Sequence, residues 1–176
     1  MGVCMKKNNP LVYIVEGETE KKLIQSIKNE FIFPGKIYVR NLVQVKSIET
    51  LVRLIQNNSY VVIVFDTDIN EIKAVENLSK NIKLLKKLKN VKEIILIPQR
   101  LNLEDELIFS SSIIKIKEFT KSKSNTEFKK DFLTITDLNV LKRIREINFD
   151  IDKFWNRNAD NLYDRFENES RLIKKT

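Results

Sequence analysis

The sequence predicts an α/β domain: a mostly parallel, four-stranded sheet flanked by helices, with a helical C-terminal portion. Three observations carry this. Short apolar runs rich in β-branched residues, such as residues 60–65, read as strands buried on both faces. Segments with an apolar residue every three or four positions alternate with them and read as helices. Three of the strand runs also lead into acids: Glu16 after the first, Asp66 and Asp68 after the third, Glu104 shortly after the fourth. Ligands of open α/β sheets sit beyond the carboxyl ends of strands, so these acids stand where chemistry is usually placed.

Taken in order, residues 1–9 are polar and read as loose, and residues 11–15 are the first strand. Gly17 sits at the turn that follows, where a tight turn or a close approach explains it. A helix over 21–30 has Leu23, Ile24, Ile27 and Phe31 as its apolar stripe, with Thr19 as a candidate N-cap. Pro34-Gly35 marks a turn. Residues 37–45 read as a strand, with Ile37, Val39, Asn41, Val43 and Val45 on one face. A helix starting near Ser47 runs through Ile48, Leu51, Val52, Leu54 and Ile55. After the third strand, a lysine-rich helix over about 70–89 places Ile72, Val75, Leu78, Ile82, Leu85 and Leu88 on one side. Residues 91–97 are the fourth strand, closed by Pro98. Residues 122–125 read as a loop, and 136–147 and 151–173 as helices. Phe154, Trp155, Tyr163 and Phe166 fall at helical spacings and read as core. With no repeat and no linker, residues 1–176 form one domain, a core over about 11–110 and a helical extension over about 111–176.

Composition narrows the chemistry. Hydrophobic residues make up 42% and charged residues 32%, which suits a globular chain. Cys4 is the only cysteine, so neither a disulfide framework nor a thiolate metal site is expected, and a cytoplasmic location is. No apolar run approaches a membrane span, so no membrane partner is expected. There is no histidine, which excludes His-based triads, His metal ligands and imidazole proton shuttles. Acid–base work falls to carboxylates, Lys, Tyr or metal-bound water. The net charge of +8 draws the chain to polyanions such as RNA or DNA, although a Lys-, Asn- and Ile-rich composition explains part of it without binding.

In a parallel sheet all carboxyl ends share one edge, so acids distant in sequence meet there. Asp66 and Asp68 are two apart and point the same way on an extended backbone. Glu16 and Glu20 are four apart, the spacing of one helix face. Together with Glu104 they suit one or two Mg²⁺ or Mn²⁺ ions, which take oxygen ligands. Acids in a helix's first turn also complement its dipole, which explains Glu18, Glu20 and Glu104 to Glu106 without function.

The motif Val-Glu-Gly-Glu-Thr-Glu (15–20) after one strand, with Val-Phe-Asp-Thr-Asp (64–68) ending a later one, resembles the Toprim domain. Its form is most similar to that of OLD-family and abortive-infection nucleases, with Glu104 similar to a later acid of the OLD-like and RloB-like groups. The resemblance covers roughly residues 11–110 and implies a Rossmann-like Toprim fold. It implies catalytic roles for Glu16, Asp66 and Asp68, and metal ligation by Glu16, Glu20, Asp66, Asp68 and Glu104. Glu16 is implied as general acid/base or metal ligand, and Asp66 with Asp68 as the Mg²⁺-binding pair. The implied function is a Mg²⁺- or Mn²⁺-dependent nuclease cleaving RNA or DNA, with a role in phage defence. No glycine follows the DxD pair and no P-loop pattern is present, so a partner ATPase would be a separate subunit. The alternative is a catalytically silent Toprim-like module that binds nucleic acid or protein.

Arg100, between the fourth strand and Glu104, is placed to meet a scissile phosphate, and Lys115, Lys117, Lys121, Lys123, Lys129 and Lys130 lie just past the third acidic group, placed to approach a substrate or else to form mobile surface. The run Lys80, Lys83, Lys86, Lys87, Lys89 and Lys92 reads as a solvated helix face or as a grip on phosphates.

Overall fold

The computed structural model describes residues 9–45 and 48–175. The readings of residues 1–8 as loose and of Ser47 as a helix start lie outside them.

Four parallel strands form the sheet in the order β2-β1-β3-β4: β1 Leu11–Val15, β2 Lys36–Val39, β3 Ser59–Asp66 and β4 Val91–Gln99. Helices cover both faces, giving a Rossmann-like α/β architecture. The central strands explain the unbroken apolar runs. Val12, Ile14, Val61, Ile63 and Phe65 point into one core, and Tyr13, Val15, Val62 and Val64 into the other. Period-two alternation feeds two buried faces at once, so no polar residue interrupts it.

The first core lies under α1 (Glu18–Ile27), α4 (Leu103–Phe109), α6 (Phe128–Thr134) and α7 (Asp137–Glu146). Leu23, Ile24 and Ile27 of α1 are fully buried there, each a stabilisation of about 1.5–3 kcal/mol by apolar burial. The second core lies under α2 (Glu49–Val52) and α3 (Ile72–Lys86), through Leu51, Val75, Leu78, Ile82 and Leu85. A single turn, α5 (Lys117–Thr120), precedes α6. Among the described residues no helix is long and apolar enough to cross a membrane.

Several expectations are corrected. Helix α1 begins at Glu18, with extended Gly17 as its N-cap, so Thr19 lies inside the helix and caps nothing. Strand β2 stops at Val39. Asn41 Oδ1 accepts from the Val43 and Gln44 backbone N–H groups at 3.0 Å each, and this turns the chain where alternation alone predicted strand. Helix α2 is a single turn, and Leu54 is exposed. Strand β4 continues through Pro98 to Gln99. It is an edge strand, which tolerates a residue lacking an N–H.

The largest correction is residues 151–173, which form no α-helix. They make turns and two short 3₁₀ segments, Asn161–Tyr163 and Ser170–Leu172, with Trp155 and Asn161 at positive φ (both 56°). Phe154 and Trp155 are buried in the first core, Tyr163 and Phe166 in the second. One helical stripe serves one face, so a segment supplying both must wrap rather than coil. On the way it closes the free edge of β4: the Leu96 N–H donates to Glu169 Oε2 and the Glu169 N–H to the Leu96 carbonyl, both at 2.9 Å.

Candidate functional site

The carboxyl ends of β1 and β3 and the start of α4 gather Glu16, Glu20, Asp66, Asp68 and Glu104 at one rim of the sheet. The charges of the other four all act on Asp66.

Asp66 ends β3, and Thr67 pins the strand tip that carries it. The Thr67 hydroxyl donates to the Gln99 carbonyl (2.9 Å) and accepts from the Leu101 N–H (3.1 Å), and its N–H donates to the Leu101 carbonyl (3.0 Å). Gln99 lies in register beside Asp66 and is fully buried. With its amide oriented to satisfy both ends, it donates to Asp66 Oδ1 (2.9 Å) and accepts from Trp155 Nε1 (3.1 Å). Trp155 of the C-terminal wrap is thus tied to Asp66 through the Gln99 side chain. Burial pushes the Asp66 carboxyl up to about 9, with Glu16, Glu20, Asp68 and Glu104 adding to the shift. Asp68 lies past the strand and is exposed.

Glu16 directly follows β1. Its Oε2 accepts from Asn41 Nδ2 at 3.0 Å, while its buried Oε1 lacks a hydrogen bond. Burial raises its pKa to about 7, with the Glu20 and Asp68 charges contributing. Asn41 therefore does two jobs, since its oxygen caps the turn after β2 and its nitrogen aims Glu16. Glu16 precedes α1, so the shared helix face expected for Glu16 and Glu20 does not exist; the rim, rather than a helix face, brings them together.

Glu20 is buried, and burial with the nearby Glu104 charge raises its pKa. A Cβ on Gly17 would stand 2.8 Å from Glu20 Oε2, so the glycine makes room for this carboxylate. Glu104, on α4, pairs with Lys129 Nζ of α6 at 3.1 Å. Burial opposes the Lys129 charge, yet Glu104, Glu20 and Asp66 together hold its pKa above the ordinary lysine value. Tyr163 borders the rim. Burial, then Glu16, Asp68 and Glu71, pushes its phenol up to about 12, and its hydroxyl donates to the Ile69 carbonyl (2.9 Å).

The other predicted residues fall elsewhere. Arg100 pairs with half-buried Asp160 at 3.1 Å. Lys115 is exposed, and the N–H groups of Lys115 and Lys117 bind Glu118 and Asn125; no described contact joins either lysine to the acidic rim. Asp105 and Glu106 belong to a separate clasp. Fully buried Glu106 accepts from the Arg100 and Trp155 N–H groups (2.9 and 3.2 Å) and pairs with Arg157 (3.0 Å), which also pairs with Asp105.

Five carboxylates and no nitrogen or sulfur donor suit a hard divalent cation. The unpartnered Oε1 of Glu16 fits as a ligand atom, and like charges drawn together at a partly buried rim call for a counter-ion or a proton. Among the described residues, however, no three carboxylates are already drawn into a metal-holding group. Asn41, Thr67 and Gln99 are the positioning groups that sequence reading left unassigned, whereas Lys129 belongs to the lysines it placed just past the third acidic group, and it pairs with Glu104. Only Gln99, last residue of the strand beside Asp66, had a signal there. No family model, curated protein or solved structure matches the chain.

Proposed function

We propose that the chain is a divalent-metal-dependent nuclease of Toprim type, cleaving phosphodiester bonds in RNA or DNA. The observation that supports it most is the convergence of Asp66 with Glu16, Glu20, Asp68 and Glu104 at the carboxyl rim, with protons bound more tightly there than on ordinary carboxylates. In this reading Asp66, Asp68 and Glu16 hold Mg²⁺ or Mn²⁺, with Glu20 and Glu104 as accessory ligands. The bound cation supplies Lewis-acid charge and a water of lowered pKa. As the alternative to ligating the cation, Glu16 takes or returns a proton at its carboxylate, whose proton affinity burial raises above that of an ordinary glutamate. Asn41 and Gln99 keep Glu16 and Asp66 aimed into the rim. Lys129 balances Glu104 and supplies a positive charge beside the acids. A role as a phage-defence effector, with or without a separate ATPase subunit, belongs to this reading.

The test is cleavage of mixed RNA and DNA substrates with Mg²⁺ or Mn²⁺. Wild type should cut and Asp66→Ala should not; equal behaviour of the two would remove the nuclease reading. One observation favours a silent binding module instead: Lys129 already neutralises Glu104, and no three-carboxylate group is assembled. That module would bind nucleic acid in a salt-sensitive way that survives loss of Glu16 and Asp66.

A further inference from the structure

The lysine run on α3 has a structural setting that a solvated helix face does not require. Lys80, Lys83 and Lys87 are spaced three and four apart, so they share one side of the helix and its C-cap. They line an open concavity of about 440 Å³ together with Ser79 and Arg165, and Glu76 is its one acid. Like charges at this spacing oppose one another, and among the described residues none of the three lysines makes an ion pair. The helix dipole accounts for cations in the last turn, but not for Lys80, nor for an arginine delivered from the C-terminal wrap. Arg165 is held in place: one Nη donates to Ser79 Oγ (2.7 Å) and to the Val75 carbonyl (3.3 Å), and its guanidinium lies over the Phe166 ring at 5.2 Å. A cation fixed in this way is pre-organised for phosphate, and mobile lysines beside it follow a backbone.

We propose that this groove is a second nucleic-acid site that binds the phosphodiester backbone without reading sequence. Its place in the fold suits that role. Helix α3 begins four residues past Asp68, and Lys80 lies roughly 12 Å further along its axis. A strand seated on the lysines therefore lies along the helix that leaves the acidic rim, anchored apart from the acids that would repel it. The inference rests on nucleic acid being the partner, but not on cleavage.

The experiment reads binding alone. Fluorescence anisotropy of a labelled 20-nucleotide single strand is followed in EDTA across a salt titration, in an Asp66→Asn background. The Lys80→Ala/Lys83→Ala/Lys87→Ala variant should bind about tenfold or more weakly at low salt. Its log–log salt slope should fall by about 2, the loss of three phosphate contacts on a single strand. A matched variant, Lys36→Ala/Lys142→Ala/Lys153→Ala, removes the same charge from scattered exposed positions and should keep the parental slope. Equal losses in the two variants, no loss in the first, or no binding by the parent would each overturn the groove. Because no divalent ion is present, failure here leaves the cleavage assay free to succeed, and failed cleavage leaves this result standing.

Discussion

Two carboxylates, the fully buried Glu106 and the partly buried Asp66, live by opposite rules. Glu106 is fully buried, but two backbone N–H groups and the Arg157 guanidinium meet it. Asp66 is partly buried and feels the charges of four other acids, with one amide from Gln99 as its support. The first joins α4 to the C-terminal wrap and belongs to the architecture. The second is crowded by charge, and without a cation it holds a proton into the alkaline range. Satisfied buried charge marks structure; unsatisfied buried charge at a strand tip marks a place for something else to bind.

Substitutions should separate the two. The largest expected effect is on chemistry: Asp66→Asn should lower metal-dependent cleavage roughly a hundredfold or more while the fold persists. Arg157→Ala leaves Glu106 buried without its cation and should cost about 3–5 kcal/mol in chemical denaturation, with little effect on metal affinity. The same denaturation should show Asp66→Asn stabilising the metal-free protein at pH 8, because it removes a carboxyl that the folded rim must keep protonated there while the unfolded chain ionises it. If both substitutions destabilise alike, the contrast is wrong.

The pH dependence follows the same sign. Asp66 and Glu16 hold protons more tightly folded than unfolded, with values near 9 and 7. Their contribution to stability is complete below about pH 4, the unfolded carboxyl value, and is lost as pH rises through 7 and 9. Thermal melts of the metal-free protein should therefore show stability declining from pH 5 to 9, with Asp66→Asn flattening the upper part. The smallest effect is expected at Gly17. Its backbone is extended, so Gly17→Ala meets no backbone strain and only displaces the Glu20 carboxylate; a few-fold loss in metal affinity with an unchanged melting temperature would show it.

Much of this was legible from residue order. Strands β1, β3 and β4 announce themselves because both faces are buried, and α3 and α7 because one face is. The acids could be placed at one rim once the sheet was parallel. What the residues hid was long-range. Asn41 looked like a strand residue until its side chain was seen to bind Glu16. Lys129 was one of several lysines past the third acidic group, and nothing in the residue order singled it out as the one that reaches Glu104. The aromatics after residue 150 signalled burial correctly but not conformation, since their spacing suits a helix while their destinations lie on opposite faces of the sheet.

The central claim is that the rim carboxylates jointly bind a divalent cation, and a Mn²⁺ titration followed by electron paramagnetic resonance addresses it most directly. Wild type should take up one or two ions saturably. Glu16→Gln and Asp66→Asn should each weaken that uptake, and Glu106→Gln should not. Absence of saturable binding, or binding untouched by the two rim substitutions, would contradict the account.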